Sequence, residues 1–227
     1  MNLRLQAVLV LALTGGASAL LVGRAISDMT GPLSEVNLMG YALPSQIAGG
    51  LHMRQFARAF VFKDEDTAKQ VAYVSADIGM GSDLLNQKVL ERLNATPGLE
   101  GVYSYKNLCI SGTHTHATPA GYLQYVLFQA TSFGWFDQTF QAYVDGVADA
   151  VALATADLQP GKLTLKQGEL VGANINRSPT SYLLNPDAGD YDADTDKNML
   201  LLQVDAADAT NGTSPLGVLN WFAVHGE

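Results

Sequence analysis

The chain has 227 residues, with 13 Lys plus Arg against 22 Asp plus Glu and a formal net charge of −9. That balance offers no basic footprint for nucleic-acid phosphates and no electrostatic grip on an anionic membrane, while leaving a lipid substrate open. Hydrophobic residues at 48% supply a core, and one cysteine, Cys109, rules out an intramolecular disulfide framework and a CxxC zinc site.

The first residues read as an address. "MNLRLQAVLVLALTGGASA" has Arg4 near its start, an apolar run from Leu5 to Leu13, and the A-x-A cleavage form at Ala17-Ser18-Ala19. The run is too short to span a membrane, so residues 1–19 are expected to be a signal peptide that sends the protein into the secretory route. Asn211-Gly212-Thr213 is the best-placed of the formal glycosylation acceptors.

"ARAFVF" (57–62) and "QVAYVSADIG" (70–79) are rich in β-formers and flank a charged turn, as paired strands do. Ser82 is placed to cap a helix through "DLLNQKVLERLN", with Leu85, Val89 and Leu93 on one face. "NLCIS" (107–111) reads as a short buried strand, which makes the Cys109 thiol an inert core group. Tyr122 to Phe133 is expected to be helical. From Asp137 to Leu158, apolar residues recur at helical spacing until Pro160-Gly161 stops the run. "KLTLKQGEL" (162–170) alternates as a half-exposed strand, and "NMLLLQVD" (198–205) and "LGVLNWFAVH" (216–225) read as interior strands. Strands and helices mix without strict alternation, so the expected fold class is α/β, with mixed β-sheets flanked by helices. The chain ends just past an apolar strand, so residues 20–227 read as part of a truncated, incomplete catalytic domain.

The chemistry is most concentrated at "SGTHTHATP". His114 and His116 follow a strand end, and on an extended segment residues i and i+2 point the same way. Neutral imidazoles suit a divalent metal such as zinc. His225 stands at the end of another expected strand; if those strands share a sheet, the imidazoles meet. The alternative is a set of hydrogen-bonded loop histidines. Arg177, in "NINRSPTSYLLNP", could orient a substrate oxygen or staple its loop. Asp77 either reaches the same sheet edge or caps a turn. "GYLQYVLFQATSFGWF" (121–136) lines a lipid-sized groove or, more ordinarily, packs in the core.

"GRAISDMTGP" (23–32), "VNLMGYA" (36–42), "GLHMRQFARAF" (50–60), "VSADIGM" (74–80), "SGTHTHATPAGYLQY" (111–125), "NINRSPTSYLLNP" (174–186), "TDKNMLLLQV" (195–204) and "NWFAVHG" (220–226) occur in that order. In these stretches the chain resembles the neutral/alkaline non-lysosomal ceramidase family. The resemblance implies a Zn2+-dependent amidase that cleaves the N-acyl bond of ceramide to give sphingosine and a fatty acid. It implies that His114 and His225 are zinc ligands and that His116 and Arg177 are active-site residues. It also implies that the remaining ligands, a glutamate and a tyrosine, lie in a later part of the family's sequence, so this stretch alone is expected to be inactive. A peripheral membrane contact is left open. Where the family has a glycine after its second histidine and one further residue, this chain has Thr118, which puts the local backbone geometry in question. The competing reading is a non-catalytic lipid-binding remnant of the same fold.

Overall fold

A computed structural model describes residues 20–207 and 214–225. The expected signal peptide and the Asn211 acceptor lie outside them. The chain divides into two compact units, one running up to Pro160 and the other from Gly161 to His225.

The first unit is built on β1 (Leu20–Asp28), β2 (Phe56–Asp64), β3 (Gln70–Ala76) and β4 (Leu108–Gly112). β1, β2 and β3 pair antiparallel, and β4 joins β3 in parallel. β1 was not foreseen, because its residues follow directly on the apolar leader and read as the start of the mature chain. Every second residue of β2 and β3 is apolar and buried: Ala57, Ala59 and Val61, then Ala72, Val74 and Ala76. That period of two turns one face of the sheet inward. The parallel connection from β3 to β4 needs a crossover, and α1 (Asp83–Asn94) supplies it. Ser82 caps α1, its hydroxyl accepting from Leu85 N–H at 3.1 Å, and Leu85, Val89 and Leu93 are buried as their spacing requires.

The second helical cover is α3 (Asp137–Ala156), which packs on β1, β2 and α1. Small residues permit the close approach. A methyl group on Gly23 of β1 would stand 1.9 Å from the Ala154 carbonyl oxygen, so only a bare Cα lets the helix lie this near the strand. Between β4 and α3, the expected twelve-residue helix shrinks to α2 (Val126–Thr131). Tyr122 and Leu123 instead belong to an irregular loop, where their side chains are fully buried in the core. The core reading of the aromatic stretch is therefore right for these residues, while Val126, Leu127 and Phe133 are exposed.

Cys109 is exposed on β4, not buried. β4 pairs with β3 along one side only, and Leu108 rather than Cys109 points into the core.

β5 (Gln159–Glu169) begins in the first unit, where Gln159 and Pro160 pair with β1. The helix therefore ends at Ala156, ahead of the Pro160-Gly161 pair, which lies inside β5. From Gly161 onward β5 pairs antiparallel with β6 (Asn198–Ala206), and β6 with β7 (Ser214–Phe222), forming the second unit's sheet. β6 and β7 are only partly buried, with Val204, Asp205 and Leu219 as their fully buried positions. The long β5–β6 connection carries the short helix α4 (Pro179–Tyr182) and a 3-10 turn at Ala188–Asp190. Pairing runs β4-β3-β2-β1 in the first unit and β5-β6-β7 in the second, mixed strands with helices, so the α/β class is correct.

Candidate metal centre

In the first unit, β3 and β4 run in parallel and end side by side at Ala76 and Gly112. The loops that follow them hold the histidine pair. Thr113 N–H donates to the Ala76 carbonyl at 2.9 Å and His114 N–H to the Ile78 carbonyl at 3.1 Å. His114 then leaves the extended region, with a φ of 61°. A left-handed backbone at a non-glycine residue costs about 1–3 kcal/mol and persists only where its surroundings over-determine it. The extended-strand argument for the His-x-His pair therefore fails, because β4 has ended and the backbone has turned. The two rings are neighbours all the same, with centroids 4.9 Å apart and planes at 83°.

What over-determines His114 is visible. Its Nδ1 lies 2.6 Å from the Gly79 carbonyl oxygen. A carbonyl only accepts, so the ring donates from Nδ1. A backbone carbonyl orienting one ring nitrogen so that the other can coordinate is the usual second partner of a metal-bound histidine. Gly79 is itself held through its neighbour: the Tyr122 hydroxyl donates to the Met80 carbonyl at 2.9 Å and accepts from Met80 N–H at 3.1 Å. Burial pushes that phenol up to about 12. Tyr122 stands edge-on to Tyr143, with centroids 4.9 Å apart.

His116 is held from the other side by the 36–48 loop. Met39 N–H donates to the Thr118 carbonyl at 2.9 Å and Ala120 N–H to the Asn37 carbonyl at 2.8 Å, stitching that loop to the segment after the histidines. Buried Asn37 ties off the loop itself, donating from Nδ2 to the Leu43 and Gln46 carbonyls. Gly40 and Tyr41 are thereby laid against His116. The Tyr41 ring meets the imidazole edge-to-face at 4.5 Å, and a methyl on Gly40, whose φ is 124°, would fall 2.8 Å from His116 Nδ1. Thr118 does not need the freedom of a glycine: it is absent from the left-handed residues, and its buried hydroxyl pairs with the Tyr143 hydroxyl at 2.7 Å. Tyr143 donates in turn to the Pro119 carbonyl at 2.9 Å. Sequence reasoning singled out the histidines and missed Gly40, Tyr41, Tyr122 and Tyr143, although the first three stand inside motifs it quoted.

Asp77 is not a site group. It accepts from Phe56 N–H at 3.0 Å and from the Arg58 guanidinium at 2.8 Å, fastening β2 to the end of β3. In the second unit, Arg177 is exposed in the β5–β6 connection just before α4, and His225 follows β7. His114 and His116 of the first unit each offer a ring nitrogen that could ligate a metal ion, and so does His225 of the second. The donor chemistry fits a zinc-like cation, which takes imidazole nitrogens, and His114 is already turned by its carbonyl partner.

Fold and site thus define an α/β domain carrying a candidate metal centre built from histidines beyond its strand ends. Residues 20–227 match the family model described as neutral/alkaline non-lysosomal ceramidase, N-terminal, and the chain belongs to that family. It is 43% identical over 212 residues to a neutral ceramidase of Oryza sativa subsp. japonica, covering 92% of this chain and 26% of that protein. Against a neutral ceramidase of Drosophila melanogaster it is 44% identical over 206 residues, covering 90% and 28%. The crystal structure of the neutral ceramidase from Pseudomonas aeruginosa superposes with a TM-score of 0.85 at 37% identity, covering 92% of this chain and 32% of that one. A solved ceramidase complexed with C2 gives a TM-score of 0.84. The chain therefore spans about a quarter to a third of the length of these relatives.

Proposed function

We propose that this chain supplies the histidine half of a zinc-dependent amidase site that cleaves the N-acyl bond of ceramide. The observation that carries the reading is the hydrogen bond from His114 Nδ1 to the Gly79 carbonyl, the kind of backbone partner that orients a metal-bound histidine. The His114 and His116 rings, with centroids 4.9 Å apart, and the names of the relatives support it. His114 and His225 are the ligands. A bound zinc ion supplies Lewis acidity, polarising an amide carbonyl and making water acidic enough to serve as a nucleophile near neutral pH.

The remaining roles fall to the chain's own groups. His116, wedged between Gly40, Tyr41 and His114, presents an imidazole that donates a hydrogen bond or takes up a proton. Arg177 is always cationic and suits an oxygen that gains negative charge as the amide carbon becomes tetrahedral. Two histidine ligands leave a zinc site incomplete, so the chain alone binds zinc weakly and is inactive. With a net charge of −9, contact with the lipid falls to apolar groups rather than to charge. The leader places it in the secretory route.

The test is fatty-acid release from a ceramide by a full-length protein that includes this chain. Release should be abolished by a chelator, restored by Zn2+ and lost in His114→Ala. Activity retained in that variant, or indifferent to the chelator, defeats the zinc assignment.

A further inference from the structure

We propose that Asn174 is the positioning residue that sets His225, and that it does so from the same loop that carries Arg177. The proposal rests on the reading of His225 as a metal ligand. β7 ends at Phe222, so His225 stands beyond the strand's ladder. A local turn holds the segment, Val224 N–H donating to the Phe222 carbonyl at 2.9 Å. The residue between them, Ala223, is gripped from afar: its carbonyl accepts from Asn174 Nδ2 at 2.7 Å, across 49 positions of sequence.

The same amide nitrogen donates to the Asp196 carbonyl at 2.8 Å. Its oxygen accepts from the Thr195 hydroxyl at 3.1 Å and from Lys197 Nζ at 2.8 Å. Lys197 also donates to the Asn174 backbone carbonyl at 3.4 Å and to the Thr195 hydroxyl. Three stretches are thus tied at one side chain: the Arg177 loop, the approach to β6 and the exit from β7. The job requires a group with paired N–H donors on one atom and an acceptor beside it, at short reach. Among side chains that is the asparagine amide. Aspartate has the same shape but would set an oxygen against both carbonyls.

The chemical consequence concerns preorganisation. A ligand on a loose segment must be ordered when the ion arrives, and that entropy is subtracted from affinity. With Ala223 pinned two residues upstream, His225 is presented in advance. Asn174 touches neither metal nor substrate; it acts through His225.

The experiment uses this chain as wild type, Asn174→Asp and Asn174→Ala. Gln203→Ala serves as the control, since it removes 3.0 Å bonds to buried Asp205 in β6 without touching Asn174. Two quantities are read: amide hydrogen exchange at Val224, and the dissociation constant for Co2+ as a spectroscopic stand-in for zinc. Both Asn174 variants should exchange Val224 about tenfold faster, as expected for loss of one bracing hydrogen bond. Both should weaken Co2+ binding about tenfold or more, the usual cost of a lost supporting partner. The control should lower stability yet leave both readings at wild-type values. Unchanged Val224 exchange in the Asn174 variants overturns the proposal, as does faster exchange with unaltered Co2+ affinity. If wild type takes up no Co2+, the metal reading of His225 falls, and Val224 exchange still decides whether Asn174 fixes that segment.

Discussion

Removing the Tyr122 hydroxyl tests how the core supports the site. Tyr122→Phe keeps the ring, its full burial and its edge-on contact with Tyr143 at 4.9 Å. What goes is the hydroxyl that bonds both Met80 N–H at 3.1 Å and Met80 C=O at 2.9 Å. Each bond is worth about 1 kcal/mol net, so the pair amounts to about 2 kcal/mol. Met80 is half-buried, so water can partly replace the hydroxyl, and the larger penalty of fully stranded groups does not apply. For a chain of this size, 2 kcal/mol lowers the melting temperature by roughly 4–8 °C. The assay is thermal unfolding followed by circular dichroism, paired with a Co2+ titration. The loss should extend to Co2+ affinity, because the carbonyl that orients His114 belongs to Gly79, the residue before Met80. A variant as stable as wild type would refute the bracing role. One that is less stable but binds Co2+ unchanged would refute the link from Tyr122 to the histidine.

Gly40→Ala should cost about 1–3 kcal/mol through its left-handed backbone and should also displace the His116 ring that a methyl would meet at 2.8 Å; urea unfolding and the His116 ring-proton shift check both. Gly23→Ala forces a methyl to within 1.9 Å of the Ala154 carbonyl oxygen, so α3 must lift off β1, and a loss of at least about 1–3 kcal/mol in urea unfolding is expected. Burial pushes the Tyr122 phenol up to about 12, and the Tyr143 phenol is raised further. A group whose folded value is raised contributes stability that is complete below its unfolded value of about 10 and lost as pH rises toward 12. Stability should therefore fall through that alkaline window, and the fall should be shallower in the Tyr122→Phe/Tyr143→Phe double variant.

Most of the frame was legible in the sequence where a single period governed it. α1 and α3 declare themselves by spacing and by the Ser82 cap, and β2 and β3 by alternation around a charged turn. The reading failed where long-range contacts override local pattern. Tyr122 and Leu123 look like the first turn of an amphipathic helix, yet Tyr122 is taken by Met80, 42 positions earlier. Cys109 sits in an apolar run, yet β4 is an edge and alternation turns the thiol outward. At the site, the histidines were visible as residue types. Their geometry was not, because it comes from the left-handed turn at His114 and from the Asn37–Ala48 loop laid against His116. His225 was connected to them conditionally, by its place at a strand end, and the resemblance added its role as a ligand.

The proposal that His114 and His225 are ligands of one metal ion is tested by a Co2+ titration of this chain. Wild type, His114→Ala, His225→Ala and the double variant are compared by visible absorption, each with its folding checked by circular dichroism. Wild type should bind a single equivalent weakly, with binding lost to the same extent in either single variant and no further in the double. Wild-type affinity in His225→Ala, with binding lost only in His114→Ala, would contradict it.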